Sequence, residues 1–380
     1  MGEANQTRVG IVERTSFQTP APRDLLLLPL RSQSMKGNVR KTQSQTLRLD
    51  ANIGDVIKLA QDSGGGLTLE FVFPFENEAL WYLLRAAMRT TESAARSEAG
   101  CLLTPGAKTI TKAGADFTAG APVLVNDVVR VSGAPAASDN GYFRVTAVAP
   151  TTVTVARDSN FTGGADLVSL VRGARMQNGI EKHWLDVEVA RMDVQLFQLF
   201  QQTVVNGFDL RIAEDILTMS VALLGAPSQE ATVTYATSIT PPTNSAVLDH
   251  LGIPDIRFGD TQSTSKALAL TLANNIVLNT RVGNVGIEGA TWGSMEIRTR
   301  WSGYQSTWQE MQDHVANNAK AIWWVMQDSG GRAVSFLLPD HKWLDLENPT
   351  RGLNQVDYVD GNGQSVALNQ AHSLRMQRWV

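Results

Sequence analysis

The chain has 380 residues, 43% of them hydrophobic and 18% charged, and it exceeds the roughly 250 to 300 residues at which one core stops growing, so two or three domains are expected. Its 33 basic and 37 acidic residues leave a net charge of −4, the wrong sign for a protein that grips nucleic acid by neutralising phosphates. The single cysteine, Cys101, excludes an internal disulfide or a thiolate metal cage within one subunit and points to a reducing compartment. The apolar run Leu25 to Leu30 is too short for an export signal or a membrane span and is broken by Pro29.

Residues 1–24 are polar and carry Thr19, Pro20, Ala21 and Pro22, which reads as an N-terminal arm that orders only against a partner. Leu25 to Met35 is the first strand candidate. Gly37 to Gly66 is rich in charged and amide side chains but keeps Leu47, Leu49, Val56, Ile57 and Leu59, as expected of a long hairpin or loop that docks on a neighbour. Leu67, Leu69, Phe71 and Phe73 then alternate with Thr68, Glu70 and Val72, the period of a strand. Pro74 ends it, because proline has no N–H to donate. From Glu76 the spacing becomes helical, with Leu80, Leu83, Leu84, Ala87 and Met88 on one stripe and Glu76 and Glu78 near the positive end of the dipole.

Between residues 94 and 173 alanine, glycine, threonine and valine dominate, and short valine-rich runs follow one another at hairpin spacing, with Asp139, Asn140 and Gly141 as a turn. This segment reads as a small inserted β domain. The interrupted unit resumes with Trp184 to Val189, Val204 to Ala213 and Ile216 to Leu224. Residues 227–245, marked by Pro227, Pro241 and Pro242, form a linker.

Beyond the linker, adding 228 to each number repeats the strand-to-helix module. Met295, Ile297 and Trp301 take the places of Leu67, Leu69 and Phe73. Tyr304, Trp308, Met311 and Val315 form the helical stripe, and Ser302 with Gln305 fits a capping box. Ala321 to Met326, Val334 to Leu346 and Ser373 to Trp379 complete the copy. The expected fold class is therefore mainly β (α+β). Two duplicated β-sandwich domains, 25–93 plus 174–226 and 246–380, each carry one packed helix, and a barrel-like β domain is inserted at 94–173.

Groups that could carry chemistry are sparse. His183, His250, His314, His341 and His372 include no i, i+4 pair, and His341 and His250, each next to an aspartate, point away from it in a strand. Asp357, Asp360 and Asn362 around Gly361 and Gly363 lack the ligand spacing of a calcium loop, and a glycine turn between two strands is the simpler reading. Gly283, Gly286 and Gly289 lack the lysine of a phosphate loop. The nine tryptophans fit core and interface packing better than sugar stacking. No catalytic, cofactor or metal residue is expected, and the chain reads as a non-enzyme.

Arg31 to Asn38, then Thr46-Leu47-Arg48-Leu49-Asp50, then Gly65-Gly66-Leu67-Thr68-Leu69-Glu70 and a helix ending Leu83-Leu84-Arg85-Ala86-Ala87 resemble the major tail tube proteins of long, non-contractile-tailed, siphovirus-like bacteriophages. Glu181 to Val187, Phe208-Asp209-Leu210 and Ile216 to Gly225 look like the closing strands of that unit. Asn126 to Gly133 with Asn140 to Val145 is similar to small β domains of phage tails. The resemblance implies two tail-tube-type domains in a virion protein that binds itself. Homotrimeric pseudo-sixfold rings are favoured over a homohexamer, stacking into a tube around tape measure protein and phage DNA without specific binding. It also implies assembly in the host cytoplasm, no membrane partner, a net negative bore, an insert that projects outward, and inter-ring contacts from Arg40, Lys41, Arg48, Asp50, Asp55 and Lys58. A tail-tip or terminator ring, or a carbohydrate-binding tail protein, are the alternatives.

Overall fold

The computed structural model describes residues 6–43, 55–157, 159–162, 166–213, 216–243, 247–253, 255–281, 283–304, 309–347 and 358–380. The first half opens with β1 (Thr7–Arg14), β2 (Asp24–Leu27), β3 (Leu30–Gln33), β4 (Lys36–Gln43), β5 (Val56–Glu70) and α1 (Ala79–Met88). Next come β6 (Arg96–Leu103), β7 (Thr109–Thr111), β8 (Val128–Ser132), β9 (Gly141–Ala149), β10 (Thr152–Ala156) and β11 (Leu167–Arg172), which close on themselves as a barrel. The first half then resumes with β12 (Ala174–Gln177), β13 (Trp184–Arg191), β14 (Leu196–Ile212), β15 (Thr218–Gly225), β16 (Ser228–Ala231) and β17 (Ser238–Thr240). The second half contains β18 (Asp255–Phe258), β19 (Thr261–Gln262), β20 (Ser265–Ala273), β21 (Val277–Thr280), β22 (Ile287–Thr291) and β23 (Glu296–Tyr304). It ends with α2 (Gln309–Val315), β24 (Lys320–Gln327), β25 (Ala333–Glu347), β26 (Tyr358–Ser365) and β27 (Arg375–Trp379).

One pairing order occurs twice. In the first half it runs β1–β13–β14–β15–β5, and in the second β18–β24–β25–β26–β23. Irregularities recur at matching places. A bulge between Val205 and Gly207 on β14 has its counterpart between Trp343 and Asp345 on β25, and one between Leu30 and Ser32 on β3 is matched between Ser265 and Ala267 on β20. Bulges shift every later side chain, so they fix the register. Laid on them, Leu67 falls on Trp301 and not on Met295. The helix ends keep the simple offset, since Arg89 and Asn317 both take left-handed backbone, φ 56° and 53°. The extra residues of the first half lie between strand and helix, where Phe71 and Phe73 are buried beyond the end of β5.

Several expectations are corrected. The polar arm contains β1, eight residues paired along their whole length with β13, and Val9, Ile11 and Val12 are buried. Leu25 to Met35 is cut at Pro29 into β2 and β3, which pair with different partners. Part of the linker is stitched down, β16 onto β14 and β17 parallel to β2. Tyr304 and Ser302 lie in β23, so neither the stripe nor the capping box starts there, and Gln305 and Trp308 fall outside the described residues. The stretch around Gly361 and Gly363 is strand β26, neither a turn nor an ion loop. A Cβ at Gly363 would stand 2.0 Å from His341 Nε2, so glycine there makes room for the buried imidazole.

The barrel has its own core of Cys101, Phe117, Val129, Val145 and Leu170 among others. The two halves share another, in which Leu67, Leu210 and Met219 join Leu270, Trp301 and Trp324, with α1 supplying Leu83, Leu84 and Met88. Alternation in β5, β15, β14, β20 and β23 sends these side chains inward and leaves the other face polar.

Candidate subunit interface

The two halves meet edge to edge. The last third of β14 pairs antiparallel with β20, Gly207 opposite Ala273, Asp209 opposite Thr271 and Ile212 opposite Leu268. One sheet thus runs without interruption through β5, β15, β14, β20, β23, β26 and the end of β25. The seam is close: a Cβ on Gly207 would lie 2.1 Å from the Leu272 carbonyl oxygen. Across it the Thr271 hydroxyl donates to Asp209 at 2.8 Å. The Asn274 amide donates to the carbonyls of Ala87 and Val205 at 2.9 and 3.0 Å, and Arg89 donates to the Gly293 carbonyl at 3.3 Å. The hairpin β21–β22 leans on the first half through Trp292 against Trp184, ring centres 5.1 Å apart, with Ile276 buried beside Val204.

At the two ends of this sheet the pattern stops. Among the described residues β4 pairs only with β5, and Lys342 to Glu347 of β25 pair only with β26. The Trp343 carbonyl, at the bulge, meets His314 Nδ1 of α2 at 3.3 Å. Edge strands with unused N–H and C=O groups are templates for strand addition.

The polar face forms a trough lined by Asp209, Arg211, Arg298, Arg300, Glu347 and Asp360 among others. Its arginines are held by neighbours: Arg211 by Asp209 and Arg298 by Glu296, both at 2.9 Å.

The barrel is clamped to the opposite side. The Asp127 carboxylate takes Arg175 Nη1 on one oxygen and Arg375 Nη1 on the other, each at 2.8 Å. Burial pulls the Arg375 and Arg172 guanidinium pKa values down to about 10. Gln377 accepts from the Val128 N–H at 2.6 Å and donates back to its carbonyl at 3.2 Å, and Trp379 donates to the Val171 carbonyl at 3.1 Å. Arg144 on β9 reaches Asp260 in the second half at 2.6 Å.

Of the residues expected to touch another ring, Arg40, Lys41 and Lys58 lie on the β4–β5 hairpin and Asp55 just before β5, all exposed. Arg40 pairs with Asp62 at 2.9 Å, and Lys41 stands opposite Lys58 in the strand register. Arg48 and Asp50 fall outside the described residues. The β14–β20 seam was missed, because main-chain edges leave no mark in side-chain pattern.

Among the described residues no three His, Cys, Asp or Glu side chains gather as a metal site would need, and no helix is long and apolar enough to cross a membrane. The fold is that of a mainly β structural protein with an added barrel. The family of phage tail tube proteins matches residues 4–302, from β1 through the barrel into β23, and the chain belongs to that family: it is a structural component of the bacteriophage tail. No curated protein matches it.

Proposed function

We propose that the protein is the major tube subunit of a long, non-contractile tail, and that its two halves are copies of one tube domain, so that three chains close a pseudo-sixfold ring. One observation carries this reading: the chain already joins its own halves edge to edge at β14–β20, and among the described residues the counterparts of those two strands, β4 and the end of β25, each have a strand partner on one side alone. Joining them between copies would continue the sheet into a closed barrel and remove its edges. Cyclic closure of a head-to-tail contact needs no second interface.

The polar face then lines the bore. Glu70, Asp209, Glu296, Asp345, Glu347 and Asp360 stand along its strands with Arg211, Lys266, Arg298, Arg300 and Lys342, while β4 adds Lys36 and an Arg40 already paired with Asp62. A bore whose acidic side chains offset its basic ones lets DNA and tape measure protein slide without counterion release. Rings stack through the β4–β5 hairpin, where Lys41 faces Lys58 and the like charges call for acidic groups from a neighbour. The barrel projects outward, the protein has no enzymatic role, and assembly takes place in the host cytoplasm.

Electron microscopy of the purified full chain tests the reading. Tubes whose averaged cross-section has threefold symmetry support it. Isolated rings move the protein to the tail tip or terminator, and a strict sixfold section or a persistent monomer overturns it.

A further inference from the structure

The internal seam specifies the missing one. Through the coincident bulges, Asp345, Leu346 and Glu347 of β25 stand where Gly207, Phe208 and Asp209 stand on β14. In the same frame Lys36, Gly37, Asn38 and Val39 of β4 stand where Thr271, Leu272, Ala273 and Asn274 stand around β20, because Lys36 pairs with Gly64 as Thr271 pairs with Arg298. Leu59, next to Val39 on the hairpin, takes the place of Gly293.

What each position touches in the first seam is on view. Asp209 accepts from Thr271, and Asn274 and Gly293 cover the last turn of α1 at Ala87 and Arg89. Their counterparts are bare. Glu347 and Lys36 are both exposed and opposite in charge. Val39 is 43% and Leu59 57% exposed, and so is the corresponding turn of α2, where Val315 is 80% exposed beside Met311 and Ala316 in a shallow apolar depression. The equivalent turn of α1 buries Ala86, Ala87 and Met88.

We propose that a second copy of this chain closes the seam in one register: Glu347 opposite Lys36 and Leu346 opposite Gly37, with Val39 and Leu59 of one copy covering the Val315 turn of α2 in the other. This rests on the ring reading above. A Thr–Asp hydrogen bond becomes a Lys–Glu pair, and an amide over a helix end becomes apolar contact. At Asp345, which has a Cβ where the first seam has Gly207, the strands sit further apart. Among shifted registers, a one-residue slip turns Lys36 to the other face and loses both contacts.

The experiment uses the full chain carrying both Lys36→Cys and Glu347→Cys, with the buried Cys101 left in place, oxidised after assembly. Directly opposed antiparallel positions bring Cα atoms to about 4.5–5.5 Å, inside the Cα separation that a disulfide spans. Covalent dimers and trimers that appear only in the double variant support the register. Tubes without the ladder overturn it and leave the ring reading standing, and neither tubes nor ladder overturns both. A second arm is independent of thiols. Val39→Asp, at an exposed position, keeps the monomer fold and raises the concentration for half-assembly about tenfold or more, because a carboxylate is pressed against apolar surface. An unchanged midpoint overturns the apolar contact.

Discussion

Arg375, on the last strand, reaches Asp127 at the mouth of the barrel, Nη1 to Oδ1 at 2.8 Å, with both side chains shut away from water. The pair joins segments 248 residues apart in the chain. Removing one charge leaves the others buried without compensation, which costs about 3–5 kcal/mol. Asp127→Asn should therefore destabilise the junction by that order, followed as loss of the Trp379 environment against Tyr142 in a denaturant titration. A change below about 1 kcal/mol would show that the clamp is held by Gln377 and the apolar contacts alone.

Gly363 and His341 form a tighter relation. The imidazole is boxed in by Thr299 Oγ1, 2.7 Å from Nε2, and by the Trp343 ring at 4.7 Å, so it cannot swing from a new methyl group. Gly363→Ala is expected to cost about 1–3 kcal/mol as overpacking. Combining it with His341→Ala should cost less than the sum of the two single changes, and strict additivity in thermal unfolding would refute the contact.

At the internal seam, the obstacle to a methyl group on Gly207 is a backbone oxygen, which has no rotamer to escape into. Gly207→Ala should pry β14 from β20. Amides of Leu268 to Ala273 would then exchange about tenfold faster, the factor that corresponds to about 1.4 kcal/mol. Exchange that rises uniformly over the protein instead would place the damage elsewhere.

Acid should weaken the fold before its carboxylates titrate. Burial holds the His341 pKa down to about 3, and burial with Arg375 and Arg175 nearby holds His372 to about 4, whereas in the unfolded chain both return to about 6.5. Above that value neither state is protonated and the histidines add no pH dependence. Between it and the folded values only the unfolded chain takes up protons, so stability falls as pH falls. For His341 the slope approaches about 1.4 kcal/mol per pH unit. His341→Ala should flatten the stability profile between pH 6 and 4 even as it lowers stability at pH 7, and an unchanged slope would contradict the burial argument.

Side-chain pattern revealed the elements whose two faces differ. The barrel was legible because its valine runs alternate, and α1 because its stripe is unbroken. The strand β1 escaped because Arg8, Glu13 and Arg14 bracket only a short apolar core, although Arg14 pairs inside with Asp186 at 2.8 Å. β26 escaped because its glycines, read as turn formers, serve to admit His341 and Trp343. The second helical stripe misled for another reason: Tyr304 keeps a helical spacing to Met311 while lying in a strand, and Val315 faces outward. The candidate interface was half legible. The hairpin 37–66 stood out by composition, but edges that bond through N–H and C=O groups look alike whatever side chains they carry.

In the proposed ring, joining both halves in one polypeptide would change how assembly responds to dilution. The β14–β20 joint forms during folding at an effective concentration set by the tether, independent of how much protein is present. Only the alternate joints would obey mass action, so a three-chain ring would have half as many joints between chains as a ring of six single-unit chains, and each tethered pair would be in correct order before the first encounter.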